Sequence, residues 1–122
     1  MDILLLEELA ADARQWLAVR HQVDYRPGLL ADESLLRREL YKVDVLVAPA
    51  RLRINSQLLD FAPRLTALAR LHDGTENIDF EACQKRGIRV IQASSAAVRG
   101  SAEFLFLSLL ALFRSGVRPL PT

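Results

Sequence analysis

The sequence predicts an α/β domain in which a parallel five-stranded sheet is covered by helices on both faces. Short apolar runs alternate along the chain with segments of helical spacing, which is typical of parallel strands joined by crossover helices. Residues 65–91 contain one complete unit: an apolar run, a glycine-containing loop, a short capped helix, a glycine and a second apolar run. The length of 122 residues, with 51% hydrophobic and 25% charged residues, is that of one globular domain.

The first half of the chain supplies three predicted strands and two predicted helices. An apolar stripe that includes Trp16 and Leu17 at helical spacing predicts a helix that lies on the sheet. Arg26-Pro27-Gly28 predicts a turn, and Pro49 ends the third strand. The predicted strands are Ile3–Leu6, Gln22–Tyr25 and Val43–Ala48, and the predicted helices are Glu7–Arg20 and a segment from its cap at Asp32 through Tyr41.

The second half supplies the remaining two strands of the sheet. After a loop at residues 51–55, one or two helical turns are expected at Ser56–Ala62, where Pro63 ends them. The last two strands are expected at Thr66–Leu71 and Ile88–Ile91. Between them, Asp79 is a favourable N-cap, and Gly87 supplies the left-handed residue that stops the helix.

A final helix is expected at residues 101–114, and its composition is unusual. Apolar side chains cover nearly every side of it, so it must be buried on more sides than a five-stranded sheet can cover. The rest of its surface requires either more chain or another subunit, and we predict a homodimer through this helix. The predicted interface residues are Phe104, Leu105, Leu107, Leu109, Leu112 and Phe113. Residues 115–122, with Gly116, Pro119 and Pro121, indicate the beginning of a linker or a frayed end.

Composition and charge exclude several classes of function. A net charge of +1 gives no electrostatic reason to expect binding to nucleic acid or to an anionic membrane. No basic segment precedes the first apolar run, and the apolar run at Phe104–Phe113 is shorter than a membrane helix requires. The single cysteine, Cys83, excludes an internal disulfide and is typical of a reducing compartment, so we expect a cytoplasmic protein.

Motif spacing excludes several chemistries. No two of the five glycines are close enough to form G-x-G-x-x-G, which excludes both a dinucleotide fingerprint and a Walker loop within this sequence. Two histidines and one cysteine, all scattered, form no metal site of ordinary spacing. A phosphorelay receiver would need an aspartate after the third strand and a lysine after the fifth, where Pro49-Ala50 and Ala93-Ser94 stand.

The loop after the fourth strand is the remaining candidate site, because open α/β sheets bind ligands at the carboxyl ends of their strands. Backbone N–H groups around Asp73, Gly74 and Thr75 suit an anion-binding nest, although a plain glycine turn is the simpler interpretation. Arg70, at the end of the strand, suits either an anion or a cap on the sheet edge. His72 can titrate near neutral pH but has no visible orienting partner. We interpret Cys83 as a small core residue and Arg51 and Arg53 as ordinary loop charges.

From Gly74 to Arg114 the chain resembles the D-isomer-specific 2-hydroxyacid dehydrogenases. The family pattern is G-x-G-x-D-N-I-D, then a helix ending in R-G-I, a strand, and a helix opening with V-A-E. The resemblance extends to MDILLLEE, VDYRPGL and LLDFAPRL, so nearly the whole chain takes part. The residues that match the motif are Asn77, Ile78, Asp79, Arg86, Gly87, Ile88, Ala102 and Glu103.

The resemblance implies a flavodoxin-like three-layer sandwich with strand order 2-1-3-4-5 and a long apolar C-terminal helix. It implies a substrate domain at residues 1–95 and, at residues 96–122, an interdomain and dimerisation helix with the start of a linker. The family transfers a hydride between NAD and a small 2-hydroxy or 2-oxo acid. Its catalytic histidine, glutamate and arginine and its glycine-rich loop belong to a nucleotide domain whose positions lie past Thr122. We therefore expect a truncated substrate domain that binds no cofactor itself and is inactive alone.

The substrate-binding residues implied by the resemblance are His72, Asp73 and Gly74, whose backbone amides would hold the substrate carboxylate. The chain departs from the family pattern here, because His72 replaces the first glycine and Asp73 places a carboxylate beside the proposed carboxylate site. Ala97 and Gly100 stand where the family usually has asparagine and often has serine. The alternative is therefore a stand-alone, non-catalytic flavodoxin-like binding or dimerisation module.

Overall fold

The computed structural model describes residues 1–8, 11–70 and 77–92. Within them, five parallel strands form one sheet in the order β2-β1-β3-β4-β5. The strands are β1 (Asp2–Leu5), β2 (Gln22–Tyr25), β3 (Val45–Val47), β4 (Ala67–Arg70) and β5 (Arg89–Gln92). The predicted fold class, the parallel sheet and its strand order are confirmed.

Four α-helices connect these strands, and a side-chain cap begins three of them. The helices are α1 (Ala11–Arg20), α2 (Glu33–Leu40), α3 (Ser56–Leu59) and α4 (Phe80–Lys85). Asp32, Asn55 and Asp79 each accept a hydrogen bond from the backbone N–H three residues later, at 3.1, 2.9 and 3.0 Å respectively. Each bond satisfies an N–H group that the first helical turn leaves without a partner. The predicted caps at Asp32 and Asp79 are confirmed, and the cap at Asn55 was not predicted.

The start of the chain differs from the prediction at two places. The chain does not turn into a helix at Glu7: Leu6 and Glu7 form a bend after β1, and α1 is described from Ala11 onward. The turn predicted at Arg26-Pro27-Gly28 is the beginning of a 3₁₀ helix, Pro27–Ala31. Proline at the first position presets the φ angle of a helical turn and has no N–H to leave unbonded, which explains this start.

The core lies on both faces of the sheet, because consecutive residues of the central strands are buried. In β1, Ile3 and Leu4 point to opposite faces, and their exposed fractions are 1% and 3%. One core cluster joins β1, β3 and β4 to the inner sides of α2, α3 and α4, which places these three helices on the same face. Its central members are Leu4, Leu46, Leu68, Leu36, Leu40, Leu58, Leu59, Ala82 and Cys83.

Helix α1 packs against β2 at the edge of the sheet. Leu17 is fully buried, as its apolar stripe predicts, and the guanidinium of Arg14 lies 4.7 Å from the centre of the Tyr25 ring. None of the helices within the described part of the chain is long and apolar enough to cross a membrane. The predicted C-terminal helix at 101–114, the interface residues on it and the division at residue 95 lie outside the described residues.

At the amino edge of the sheet, Asp44 connects three strands. Its backbone N–H donates to Asp2 O at 2.8 Å, and its side chain accepts from the Asp2 N–H at 2.8 Å. Its carbonyl accepts from the N–H and the hydroxyl of Thr66, at 2.8 and 3.0 Å. These bonds fix the starts of β1, β3 and β4, so the opposite ends of the same strands meet at one carboxyl edge.

Candidate functional site

The predicted binding loop leaves the sheet at the carboxyl end of β4. His72, Asp73 and Gly74 lie outside the described residues, whereas the residues on either side of that segment are described. Arg70 is the last residue of β4, and Asn77 is where the description of the chain resumes. The geometry of the candidate site therefore rests on these two residues and on the loop that follows β3.

Arg70 is a buried arginine with an exposed fraction of 1%. Its Nη2 donates to the carbonyl oxygen of Pro49 at 3.2 Å, and its Nη1 donates to Oδ1 of Asn77. Pro49 follows β3, so the guanidinium spans the carboxyl ends of β3 and β4 and also holds Asn77. Of the two interpretations open from the sequence, the cap on the sheet edge is the one that these contacts support. A buried guanidinium requires such acceptors, because burial without them is costly.

Asn77 joins the exits of two strands through its side chain. Its Oδ1 accepts from Arg70, and its Nδ2 donates to the carbonyl oxygens of Ala50 and Leu52. These two carbonyls flank Arg51, so the amide fixes the turn that carries this residue. In the sequence, Asn77 stands out only as a member of the family pattern, since no local signal indicates partners 25 and 27 residues away.

The backbone repeats the same connection one step further along the chain. Ile54 donates from its N–H to Asn77 O at 2.8 Å, and Asp79 donates from its N–H to Ile54 O at 2.8 Å. Ile54 and Ile78 thus form a parallel bridge, and both side chains are buried. Helices α3 and α4 begin directly after this bridge, which aligns their N-terminal ends with the carboxyl edge of the sheet.

The loop held by Asn77 carries two exposed cations, Arg51 and Arg53. We read them from the sequence as ordinary loop charges, and their exposure agrees with that interpretation. The structure adds that their loop belongs to the same edge as Arg70. Two exposed guanidinium groups follow β3 at this edge, and two carboxylates, Glu7 and Glu8, follow the neighbouring β1 at the same edge. Their position directly after an apolar strand is the signal from which this placement could have been found.

The two described groups whose pKa is shifted, His21 and Cys83, lie away from this edge or in the core. His21 precedes β2 at the amino edge, and burial together with the positive charges of the N-terminus and Arg20 lowers its pKa. Cys83 is buried, and burial raises the pKa of its thiol, so its interpretation as a core residue is confirmed. Within residues 1–8, 11–70 and 77–92 no group of histidine, cysteine and acidic side chains suits a metal ion. Arg70 and Asn77 can bind a ligand or fix its position, but they cannot act as acid or base, since neither side chain exchanges a proton near neutral pH.

A family comparison identifies what this edge belongs to. The family model of the D-isomer specific 2-hydroxyacid dehydrogenase catalytic domain matches residues 3–117. The chain belongs to this family. The match covers Arg70, Asn77 and the segment between them, as the resemblance in the sequence implied.

Two relatives illustrate the range within this dehydrogenase family. Glyoxylate reductase from Thermococcus kodakarensis is 36% identical over 81 residues, which are 66% of this chain and 24% of the relative. D-3-phosphoglycerate dehydrogenase from Methanocaldococcus jannaschii is 30% identical over 113 residues, which are 93% of this chain and 21% of the relative. The chain therefore spans about a fifth to a quarter of the length of these curated relatives.

A solved structure shares the fold of this family member. D-lactate dehydrogenase from Aquifex aeolicus, in complex with NAD and lactic acid, aligns with a TM-score of 0.63 and 20% identity. The alignment covers 92% of this chain and 33% of that structure. The likeness shows that the five-stranded sheet occurs inside a longer dehydrogenase chain.

Proposed function

We propose that this chain is the substrate domain of an NAD-dependent D-2-hydroxyacid dehydrogenase. In this proposal, backbone amides of His72, Asp73 and Gly74 hold the carboxylate of a small 2-hydroxy or 2-oxo acid. The observation that carries it is the contact between Arg70 and Asn77, which brings together the two ends of the loop at the carboxyl edge of the sheet. The exposed cations of the neighbouring loop and the family match support an anionic substrate.

The division of work between this chain and the cofactor follows from the family chemistry. NAD supplies hydride acceptance and donation at the carbon next to the carboxylate. This chain contributes the position of the acid, because Arg70 and Asn77, at the two ends of the proposed binding loop, do not transfer protons. No glycine pair within the 122 residues has the spacing of a dinucleotide fingerprint. We propose that the nucleotide domain and the acid–base groups come from residues other than these.

A turnover assay of the purified 122-residue chain tests directly whether the chain is inactive by itself. NADH absorbance is followed with glyoxylate and with pyruvate, and a complete glyoxylate reductase serves as the positive control. We expect no consumption of NADH above the buffer rate, because hydride transfer needs the dinucleotide held against the acid. Turnover that scales with the concentration of the chain would contradict this part of the proposal.

Acid binding is tested separately, by ¹H–¹⁵N spectra of the chain titrated with glyoxylate. We expect shifts concentrated at the amides of residues 72–74, with a Kd on the order of 1 mM or weaker, because few groups hold one small anion. Methylglyoxal, which has no carboxylate, is the matched control ligand and should leave these signals unchanged. Equal shifts with both ligands would refute carboxylate recognition by the loop.

The second candidate is a stand-alone binding or dimerisation module without catalysis. The observation that favours it is Asp73, since a fixed carboxylate beside the proposed site opposes an anion. Reading the gene past the codon for Thr122 separates the two candidates. An in-frame G-x-G-x-x-G supports the dehydrogenase, whereas a stop codon supports the module.

We also propose that the chain forms a homodimer through the apolar segment 104–113 and works in the cytoplasm. The support is compositional: this segment is apolar on every side of a helix, and Cys83 is the only cysteine. Light scattering at micromolar concentration should give the mass of two chains. Leu109→Glu would then shift the mass to one chain, and a monomeric mass for the unchanged chain would contradict the proposal.

A further inference from the structure

The two faces of the sheet are covered unequally within the described part of the chain. Helices α2, α3 and α4 pack on one face, where they share a core cluster with Leu4, Leu46 and Leu68. Alternate residues of the same strands point to the opposite face. Among the described helices only α1 lies there, since its Arg14 contacts Tyr25, a residue of that face on the edge strand β2.

Five buried residues of β3, β4 and β5 form a continuous surface on that opposite face. The strand register pairs Val45 with Ala67, and it places Ala69 between Val47 and Ile91. The two valines and the two alanines are 0% exposed, and Ile91 is 7% exposed. None of the five belongs to the cluster on the first face. We call these five residues the alanine groove, because the two alanines form a low strip beside the larger side chains of the neighbouring strands.

The described helix on this face cannot cover the alanine groove. Neighbouring strands are about 4.8 Å apart, so β4 lies about 14 Å from β2. A helix with its side chains is about 10–12 Å wide, so a helix that packs on β2 reaches β1 but not β4. The cover of the groove therefore comes from another part of the chain.

The short segments between the described ranges do not account for this cover either. Residues 9 and 10 immediately precede α1 in the chain. The ends of the segment 71–76 are joined at the carboxyl edge, where Arg70 contacts Asn77. Ala67 lies about 10 Å away from that edge along β4, beyond the reach of so short a connection. Residues 93–122 remain as the source of the cover.

We propose that the apolar segment 104–113 docks in the alanine groove of its own chain. The exposed fractions of the groove residues hold for a single chain, so the atoms that cover them belong to that chain. Eight of the ten residues of the segment are leucine or phenylalanine, and large side chains fill the space above alanines. The eleven residues 93–103 span up to about 36 Å from the end of β5, which borders the groove, so the segment can reach it.

This docking completes the second face of the core and leaves part of the segment for another partner. The segment is apolar on every side of a helix, so one side suffices for the groove and another suits the homodimer proposed above. The inference departs from the resemblance, which implies that this segment runs between two domains. It concerns how the chain covers its own sheet, and it applies to either candidate function.

Nuclear Overhauser spectra of the full chain test the docking directly. In a sample of ¹³C-labelled chain diluted in a large excess of unlabelled chain, contacts between labelled groups arise within one chain. We expect the methyl groups of Val47 and Ile91 to contact phenylalanine rings of residues 104–113 in this sample. If these contacts appear only between labelled and unlabelled chains, a second copy occupies the groove and the proposal is overturned. Absence of these contacts in both samples overturns it as well.

Thiol labelling in a Cys83→Ala background measures how well the segment covers the groove. Ala69→Cys places a thiol in the groove. Ala48→Cys is the matched control, because the N–H of Ala48 donates to Ala69 O at 3.0 Å while its side chain belongs to the cluster on the first face. Both thiols are expected to react slowly with a maleimide reagent in the otherwise unchanged chain, since both sites are 0% exposed.

Glutamate at positions 104, 109 and 110 charges every side that a helix would present and should release the segment from the groove. In this triple variant, we expect labelling of Ala69→Cys to accelerate about a hundredfold and that of Ala48→Cys by less than about threefold. An unchanged labelling rate at Ala69→Cys would overturn the proposal. Equal acceleration at both positions would mean that the whole core needs the segment, and the Overhauser contacts of the unchanged segment then decide between its own groove and a second copy.

Discussion

Replacing Gly87 by alanine tests how the chain ends α4 and enters β5. Gly87 has a φ of 71°, in the left-handed region that residues with a Cβ rarely adopt. Its N–H donates to Gln84 O at 3.1 Å, and the N–H of Ile88 donates to Cys83 O at 2.9 Å. These are the two bonds of a Schellman motif, and the side chains of Ile88 and Cys83 are both buried beneath it.

The magnitude follows from comparison with Gly28. Alanine at either position restricts the unfolded chain and stabilises by about 0.4–1 kcal/mol where the native backbone permits it. At Gly28 no heavy atom lies within 4 Å of an added Cβ, and among the described residues only Gly87 is a glycine of positive φ. At Gly87 the left-handed conformation costs alanine about 1–2 kcal/mol. The difference between the two variants isolates this cost, because the unfolded-state contribution is common to both.

Urea unfolding followed by circular dichroism gives the free energy of unfolding of Gly87→Ala, Gly28→Ala and the unchanged chain. We expect Gly87→Ala to lie about 1–2 kcal/mol below Gly28→Ala at equal m values, and its melting temperature to lie roughly 3–8 °C lower. Gly87→Asn should fall between them, since asparagine tolerates this conformation best among the other residues. Equal free energies of unfolding for the two alanine variants would refute the conclusion that α4 ends through a left-handed residue at Gly87.

Three further predictions address charge. Asp73→Asn should tighten glyoxylate binding about fivefold, because a carboxylate about 4 Å from an anion in water costs about 1 kcal/mol. In titrations at rising salt concentration, this gain in affinity should become smaller. A gain in affinity that does not change with salt would contradict the electrostatic cause. Burial raises the pKa of the Cys83 thiol in the folded chain, so the unfolded thiol ionises first. The free energy of unfolding should therefore fall as the pH rises above about 8.5. In urea melts, Cys83→Ala should remove this dependence on pH. Arg86→Ala should lower the free energy of unfolding by about 0.5–1 kcal/mol at low salt and by less at high salt. The reason is that the Arg86 guanidinium, which is partly exposed, joins α4 to the hydroxyl of Ser56 at 2.8 Å and to the carboxylate of Asp60 at 2.7 Å. A loss that does not depend on salt would indicate a packing effect instead.

The fold was predictable because its signals are local and repeated. Four apolar runs had the length and flanking residues of a buried strand, whereas β2 is polar and partly exposed, and all five strands were found in the predicted order along the chain. Asp79 and Gly87 were predictable as the start and stop of α4, since caps depend on neighbours within a few residues. The helix start at Glu7 was wrong because the spacing of apolar residues indicates the buried side of a helix and not its first residue.

The candidate site was predictable only as a place. Strand polarity puts the ends of β3 and β4 at one edge, which locates the loop without any side-chain information. The partners of Asn77 and Arg70 depend on how two strand exits meet, and no periodicity or cap pattern encodes that meeting. Arg51 and Arg53 were predicted as ordinary loop charges, and their exposure agrees with that interpretation.

The bonds that Arg70 and Asn77 make with each other and with the carbonyls of residues 49, 50 and 52 fix the direction of the chain more than they add stability. A buried polar pair seldom stabilises a fold more than well-packed apolar residues of the same volume, because both partners must leave water. Apolar side chains at positions 70 and 77 would fill the space but would fix no direction. The bonds of Arg70 and Asn77 each have one allowed partner type and orientation, so they fix the register of the two strand exits. We therefore infer that a change at Asn77 displaces the exits of β3 and β4 more than it lowers the free energy of unfolding.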